Sequence, residues 1–364
     1  SGALWSTGER ARADETLGSA LAVASASGDE RLTWHARLER TSRHGLAHEH
    51  DAEDLLSVAE EARAVFERTG DGLGLARAWR RIAVVHLLHG RFGRAVEADE
   101  QALEHAARVG HGREESRIVD TLCTALLYGP VPADEAIARC EELLERARGR
   151  PALEAAVLSS LAGLVAMRCR FDEARDMYRR ARRLWEELGL RYAVAGLTQV
   201  GGEIELLAGC ADEAERELRV GAEILEPVGG APLQSALLAR ALARQGQVDQ
   251  ADALALRALD AAGGHEIQAE VIALATRAAI AAADGRDGEA LALAQAAVGR
   301  SQEADAPNLH ADALVALARC HAAGGRTDDS ATALHRSLLA YAAKGNLAAT
   351  ERLTRAGVSS LSSA

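Results

Sequence analysis

Three histidines and two carboxylates near the N-terminus form the most metal-like group in the sequence: His44, His48, Glu49, His50 and Asp51. Imidazole and carboxylate ligands suit Zn or Ni. His44 and His48 would share one face if the segment were helical. Nothing fixes a further ligand, so we favour the alternative interpretation, a solvated polar loop without a metal.

Two other histidines, His86 and His321, occupy equivalent positions in two copies of the repeat described below. The repeat pattern places a large, partly buried side chain there. We therefore interpret both as packed histidines and not as a catalytic or ligand pair.

The residues required for the common catalytic and cofactor motifs are absent from the sequence. The sole lysine, Lys344, stands between Ala343 and Gly345, which excludes the P-loop pattern. No nucleophile elbow, H-E-x-x-H motif or dinucleotide fingerprint occurs. Carboxylate pairs such as Glu114 and Glu115 are adjacent, so on a helix they point about 100° apart and do not converge. We expect a protein that is not an enzyme and uses no cofactor.

The charge balance argues against a nucleic-acid partner. The net charge is −12, whereas phosphate binding requires a basic contacting face. The five cysteines have no zinc or redox spacing. No apolar run reaches the roughly 18 residues that span a bilayer. These features predict a cytoplasmic protein, and the missing initiator Met and leader favour a piece of a longer one.

A short motif recurs along the chain at a nearly constant period. Each copy begins with Gly or a polar residue and ends with a small residue that opens a helix, as in Gly90 to Ala95. The closing residues, 37 to 41 positions apart, are Ala95, Ala136, Ala174, Ala214, Ala251, Ala290 and Ser330. Seven copies at one period indicate a repeat architecture.

Each period contains two stretches with apolar residues at three- and four-residue spacing, which predicts a pair of helices. Asp172, Asp212, Asp287 and Thr327 are expected to cap the second helices. The small and large positions resemble the tetratricopeptide pattern, as shown by Leu158, Leu161, Ala162, Val165, Ala174, Tyr178 and Ala181. The period of about 39 residues exceeds the standard 34, and Asp99 replaces the expected aromatic in one unit.

The resemblance implies an all-α fold, a tetratricopeptide-like superhelical solenoid of antiparallel helix pairs. We predict an N-terminal helix or cap over residues 1–29 and an array of about eight pairs over residues 30–345. A C-terminal capping helix and frayed tail are expected over residues 346–364.

Two regions carry a more specific resemblance: Gly189 to Arg219 and the closing segment Tyr341 to Glu351. Both resemble the C-terminal repeat region of large actinobacterial regulators. Those proteins combine repeats with a cyclase-like or LuxR-like DNA-binding output domain and an AAA or STAND-type ATPase. The resemblance implies a sensor or scaffold part and carries over no catalytic residue.

The first helix of each pair is expected to line a binding groove. By position, the lining comprises Arg77, Arg80, Val84, Leu88, Ile118, Thr121, Tyr128, Ser159, Met167, Gln199, Glu203, Arg240, Arg244, Ile272, Val315 and Arg319. The early part offers Arg and Tyr, which suit an acidic peptide or a C-terminal carboxylate. The part around Ile272, Ala275 and Ala279 is apolar and suits a helix or a second copy of the chain. Filling of the groove by the chain itself is an equal alternative.

The sequence therefore favours a non-catalytic interaction and regulatory module whose partner is a protein or peptide held in the groove. A homodimer is a further partner to test. No direct nucleic-acid or membrane contact is expected. The alternative is a sensor of a small molecule or short peptide, whose ligand closes the superhelix.

Overall fold

The computed structural model describes residues 10–44, 49–228 and 230–361, and these residues form eighteen α-helices and no strand. This confirms the all-α prediction. A 3-10 turn covers Glu226–Val228. The helices, in chain order, are α1 (Arg10–Ser27), α2 (Glu30–His44), α3 (Glu49–Thr69), α4 (Gly72–Leu88), α5 (Phe92–Val109), α6 (Gly112–Tyr128), α7 (Ala133–Arg146), α8 (Pro151–Met167), α9 (Phe171–Glu187), α10 (Arg191–Ala208), α11 (Ala211–Leu225), α12 (Pro232–Arg244), α13 (Val248–Ala262), α14 (Ile267–Ala283), α15 (Asp287–Ser301), α16 (Pro307–Ala323), α17 (Thr327–Lys344) and α18 (Leu347–Leu361).

The helix starts differ from the capping prediction. Arg170, Cys210, Arg286 and Arg326 are the N-cap residues of α9, α11, α15 and α17, and none makes a side-chain cap bond. The predicted caps were wrong, because the polar residues lie inside the first turn. The three aspartates there still stabilise the helices by placing negative charge near the N-terminal end of the helix dipole.

Small residues let the two helices of a pair approach closely. Among the repeated closing residues, Ala174, Ala214 and Ala251 have no exposed surface. Gly202 of α10 lies so close to α11 that an added Cβ would be 2.5 Å from the Leu218 Cγ atom. These contacts explain why the repeat units have alanine or glycine at the positions where the second helix packs against the first.

The N-terminal unit contains the described residues up to His89, together with Gly93–Ala125. Its apolar core includes Leu38 of α2, Phe66 of α3 and Ile82 of α4. Helices α2 and α3 pack against each other, and so do α3 and α4. The unit is therefore held together by a stack of neighbouring helices, each buried along one stripe.

The C-terminal unit contains Gly90–Phe92 and the described residues from Leu126 onward. Five antiparallel pairs form it: α8 with α9, α10 with α11, α12 with α13, α14 with α15, and α16 with α17. The last helix, α18, packs on α17 and also contacts α8 and α10, the first helices of two much earlier pairs. The first-helix face of this unit is thus partly covered by the chain itself.

One buried side chain joins distant parts of the C-terminal unit. Lys344, at the end of α17, is completely buried. Its ammonium group donates to the carbonyl oxygens of Leu126, Gly129 and Val131 at 2.7, 2.9 and 2.7 Å. Nearby, Arg168 donates to the carbonyl of Gly345 at 3.0 Å. The lysine bonds fix the end of α17 against the end of α6 and its connection to α7, and the Arg168 bond ties it to the end of α8.

Among the described residues, no helix is both long and apolar enough to cross a membrane.

Candidate functional site

Two adjoining cavities lie in the C-terminal unit, between the first helices of its pairs and the closing helices α17 and α18. Their volumes are about 80 and 210 Å³. We call the two together the first-helix cavity. The residues that line both parts are Arg240, Arg244, Ile272, Asp312, Tyr341 and Arg352.

Asp312 of α16 is held by two donors in the wall of this cavity. Arg240 of α12 donates from Nη1 to Oδ2 at 2.8 Å, and the Tyr341 hydroxyl of α17 donates to Oδ1. Burial raises the pKa of Tyr341 well above its usual range, and the Asp312 charge adds to the shift. The tyrosine therefore stays protonated and acts as a donor, which ties three helices together at one carboxylate.

A second tyrosine and carboxylate pair lies in the smaller part of the cavity. The Tyr128 hydroxyl of α6 donates to Oε2 of Glu203, on α10, at 2.7 Å. Burial raises the pKa of Glu203, although the nearby Arg240 opposes that shift. Burial and the Glu203 charge also raise the pKa of Tyr128. The raised pKa of Tyr128 keeps its hydroxyl protonated, so Tyr128 remains the donor in this pair.

Two guanidinium groups meet at one backbone carbonyl. Arg244 of α12 and Arg352 of α18 both donate from Nη1 to the Leu206 oxygen, at 2.7 and 2.8 Å. Leu206 lies in the last turn of α10, where carbonyl groups lack helical partners and the helix dipole favours cations. The end of α10 thus gathers positive charge at the cavity.

The opposite side of the larger part is apolar. It is formed by Ile272, Ala275 and Ala279 of α14 and by Val315 of α16. The first-helix cavity therefore combines an apolar wall with a set of fixed hydrogen-bond donors, which is the usual character of a small-ligand site.

The predicted groove residues divide between the two units. Those that line the first-helix cavity are Tyr128, Met167, Glu203, Arg240, Arg244, Ile272, Val315 and Arg319. In the same unit, Ser159 accepts a bond from Trp185 Nε1 at 3.3 Å, which turns it toward the second helix of its own pair. Gln199 is half-buried on α10 and lines neither cavity.

The remaining predicted residues belong to the N-terminal unit. Arg80 is buried and donates to Glu114 at 2.8 Å, while Arg77 contacts the same carboxylate at 3.6 Å. The two early arginines are therefore already engaged by this buried carboxylate.

Four more predicted groove residues lie in that unit. Ile118 and Thr121 of α6 are buried, and Val84 and Leu88 of α4 are half-buried. Arg77 lines a separate groove of about 720 Å³ with residues of α1, α2 and α6.

The histidine cluster cannot be placed in the structure. His48 and the side chains of His44, Glu49, His50 and Asp51 lie outside the described residues. Within the described part of the chain, no group of three or more His, Cys, Asp or Glu side chains is arranged to hold a metal.

The packed-histidine interpretation agrees with the surroundings of His321, which accepts a bond from Arg326 Nε at 2.9 Å.

Sequence reasoning missed Asp312, Tyr341 and Arg352. Asp312 stands three and seven positions before Val315 and Arg319, so the same helical spacing that selected those two indicates it. Tyr341 and Arg352 belong to a second helix and to the capping helix, where no position rule for a groove applies. Their role depends on how α18 folds back, and local spacing does not encode that.

No family model and no curated protein matches the chain. Solved structures do resemble it. A Rap protein complexed with Competence and Sporulation Factor matches with a TM-score of 0.65 and 14% identity, over 89% of this chain and 86% of that one. The Cut9–Hcn1 hetero-tetramer of the APC/C matches with a TM-score of 0.63 and 12% identity, over 86% of this chain and 54% of that one.

The apo form of the quorum sensor NprR from B. thuringiensis matches with a TM-score of 0.52 and 14% identity, over 86% of this chain and 88% of that one. Identities this low show a shared fold and nothing more specific. Together with the helix pairs and their period, they show that the chain has a tetratricopeptide-like helical-repeat fold.

Proposed function

We propose that this protein is a non-catalytic sensor module that binds a short peptide or a small molecule in the first-helix cavity. The observation that carries the proposal is the cavity itself, an apolar wall facing ordered arginine and tyrosine donors. A ligand there contacts α12, α14, α16 and α18 at once, and can therefore bias how these helices pack.

The cover over the cavity favours a small ligand over a helix. The cavity is closed on one side by Tyr341 of α17 and Arg352 of α18. Because α18 covers part of the first-helix face, a bound helix would have to displace it. The short-peptide or small-molecule alternative therefore fits this unit better than a helix in an open groove.

Two of the proteins with the same fold are consistent with this proposal. One is a Rap protein in complex with a factor, and the other is a quorum sensor. They support a ligand-responsive regulator as the class of function. The sequence resemblance to actinobacterial cyclase, ATPase and LuxR-like regulators further suggests that the module acts within a larger signalling protein. We propose that context as well, together with a cytoplasmic location.

A second candidate function, recruitment of a partner protein, is favoured by the groove of the N-terminal unit. This groove has a volume of about 720 Å³ and is lined by Val23 and Leu32, whose exposed fractions are 70% and 46%. Exposed apolar side chains of this size are typical of contact surfaces. A partner peptide or a second copy of the chain would suit this groove, whereas nucleic acid would not suit a protein of net charge −12.

The test is thermal unfolding of the full chain with a panel of di- to hexapeptides and small metabolites. A ligand at a hundred times its Kd should stabilise the folded state by about 2.7 kcal/mol. Ala275→Phe fills the larger part of the cavity and should abolish the effect. Ala331→Phe is the matched control, because Ala331 is exposed on α17 and does not line the cavity.

If the ligand still stabilises the Ala275→Phe variant, the ligand binds outside the first-helix cavity. If no small ligand binds but the chain dimerises or captures a partner through the N-terminal groove, the recruitment function replaces the sensor. Size measurement by light scattering, with and without Val23→Glu, separates those outcomes.

A further inference from the structure

The larger part of the first-helix cavity carries an excess of positive charge. Its lining includes four arginines, Arg240, Arg244, Arg319 and Arg352, and a single carboxylate, Asp312. This local balance contrasts with the chain as a whole, which has a net charge of −12. Such a concentration of guanidinium groups in an acidic protein calls for a specific explanation.

Asp312 forms an ion pair with only one of the four arginines, Arg240, although its charge also acts on Arg244. It bonds Arg240 and Tyr341, while Arg244 and Arg352 share the Leu206 carbonyl. A carbonyl oxygen satisfies hydrogen-bond donors but cancels no net charge. Arg319 has neither a hydrogen bond nor an ion pair with any other described residue. Arg244, Arg319 and Arg352 thus form no ion pair with a carboxylate of the described residues.

These groups keep most of their donors free. A guanidinium has five N–H donors, and Arg244 and Arg352 each make one bond, through Nη1, to described residues. The Arg240 Nε atom is buried without a hydrogen-bond partner among the described residues. Arginine binds planar oxyanions through two parallel bonds, which gives both strength and orientation.

We propose that Arg244, Arg319 and Arg352 form an anion subsite that binds the carboxylate of the ligand, with the free C-terminus of a short apolar peptide as its occupant. This inference rests on the proposed sensor function and specifies the ligand class. The apolar wall of Ile272, Ala275 and Val315 receives the side chains next to that carboxylate. Asp312 in the same cavity repels a second negative charge, which disfavours a phosphate dianion.

The first experiment compares two pools of N-acetylated tri- and tetrapeptides of Ala, Val, Leu and Ile, one with free C-termini and one amidated. Both are titrated into the full chain by calorimetry and thermal shift. Only the free-acid pool should bind. Arg319→Gln should weaken that binding by about tenfold or more, since a charge-assisted bond contributes more than a neutral one.

Arg319 is the informative position because it makes no hydrogen bond or ion pair with another described residue, so its replacement removes no such bond from the fold. Arg257→Gln is the matched control, since Arg257 is an exposed arginine of α13 outside the cavity. This variant should bind the free-acid peptides as tightly as the unmodified protein does. Equal binding of the acid and amidated pools, or no effect of Arg319→Gln, overturns the anion subsite and leaves the sensor function standing.

A second measurement does not depend on the choice of peptide. Replacing chloride by propionate at constant ionic strength should raise the Tm of the protein, and Arg319→Gln should remove the rise while Arg257→Gln keeps it. Phosphate also stabilises proteins non-specifically, so the relevant quantity is the part of the rise that Arg319→Gln removes. That part should be smaller for inorganic phosphate than for propionate. A larger Arg319-dependent effect of phosphate, or no propionate effect at all, overturns the carboxylate assignment. If no peptide, metabolite or anion binds, the sensor function fails together with the subsite.

Discussion

The Lys344 ammonium nitrogen lies 2.7 Å from the carbonyl oxygen of Leu126, a residue 218 positions earlier in the chain. Two more carbonyls, of Gly129 and Val131, complete its set of three acceptors. Burial lowers the pKa of Lys344 to about 7, while Cys140 acts in the opposite direction. The only lysine of the sequence thus joins the first and last parts of the C-terminal unit.

Lys344→Met should destabilise the C-terminal unit by at least about 2 kcal/mol, because it leaves buried carbonyls without a donor. Urea unfolding of the full chain measures the change. Arg355→Met, which removes an exposed cation of α18, is the control and should change stability by less than about 0.5 kcal/mol. Unfolding of Lys344→Met at the wild-type urea concentration would show that the three bonds are energetically neutral.

Asp99→Leu should stabilise the N-terminal unit at pH 7 by about 1–3 kcal/mol. Asp99 is fully buried on α5, and neither of its carboxyl oxygens has a hydrogen-bond partner among the described residues. Burial raises its pKa well above the ordinary 3.8. The folded chain therefore retains a proton that the unfolded chain releases, and stability falls as the pH rises above 3.8 toward the raised value.

Calorimetry between pH 5 and 8 tests this pH dependence. The decrease in stability with rising pH should be smaller in Asp99→Leu and in Asp99→Asn. The Asn variant removes the titrating group while keeping a side chain of nearly the same size. Glu97→Gln, at an exposed position of the same helix, should leave the slope unchanged. A slope that persists in Asp99→Asn would assign the pH dependence to other groups.

Gly202→Ala should cost about 1–3 kcal/mol, because the new methyl group overpacks the contact with Leu218. Gly196, in the same helix, has no neighbour within 4 Å of an added Cβ. Gly196→Ala should therefore raise stability by roughly 0.5–1 kcal/mol through helix propensity. Thermal unfolding measures the stability change of each variant. Changes of opposite sign for Gly202→Ala and Gly196→Ala support close packing of α10 on α11, and changes of the same sign contradict it.

Glu114→Gln should destabilise the N-terminal unit by about 3 kcal/mol, because Arg80 would remain buried without a carboxylate. Burial acts to raise the pKa of Glu114, but the adjacent Arg80 charge and hydrogen bond lower it below the ordinary 4.5. The contribution of the pair is present above pH 4.5 and is lost as the pH falls toward the lowered value.

Unfolding measured at pH 7 and pH 3 compares the two states of Glu114. The difference between wild type and Glu114→Gln should shrink at pH 3. Glu141→Gln, an exposed glutamate of α7, serves as the control with no expected change. A constant difference at both pH values would refute the ion-pair explanation.

The fold followed from the sequence because it is locally encoded. Residues such as Ala174 and Ala251 recur at one period and are fully buried at helix contacts, so counting positions was enough to predict the pairs. The helix caps failed for an equally local reason. Asp172 was one of several polar residues near a helix start, and only backbone geometry decides which residue is the cap.

The candidate site was predictable only in part. Arg240, Arg244 and Arg319 follow from their positions in first helices, whereas Arg352 enters the cavity because α18 folds back over earlier pairs. The equivalent-looking Arg80 is instead engaged by Glu114. A repeat pattern describes neighbours along the array, and it contains no information about contacts between repeats that lie far apart.

The position of Arg352 also has a consequence during protein synthesis. The cavity wall requires α6 and α18, so it is incomplete on the ribosome until more than two hundred residues beyond Tyr128 have emerged. A nascent or prematurely terminated chain can form its early helix pairs and still lack the complete pocket. Binding in the proposed cavity therefore requires synthesis through α18, and a released fragment that ends before α18 cannot compete for the same ligand.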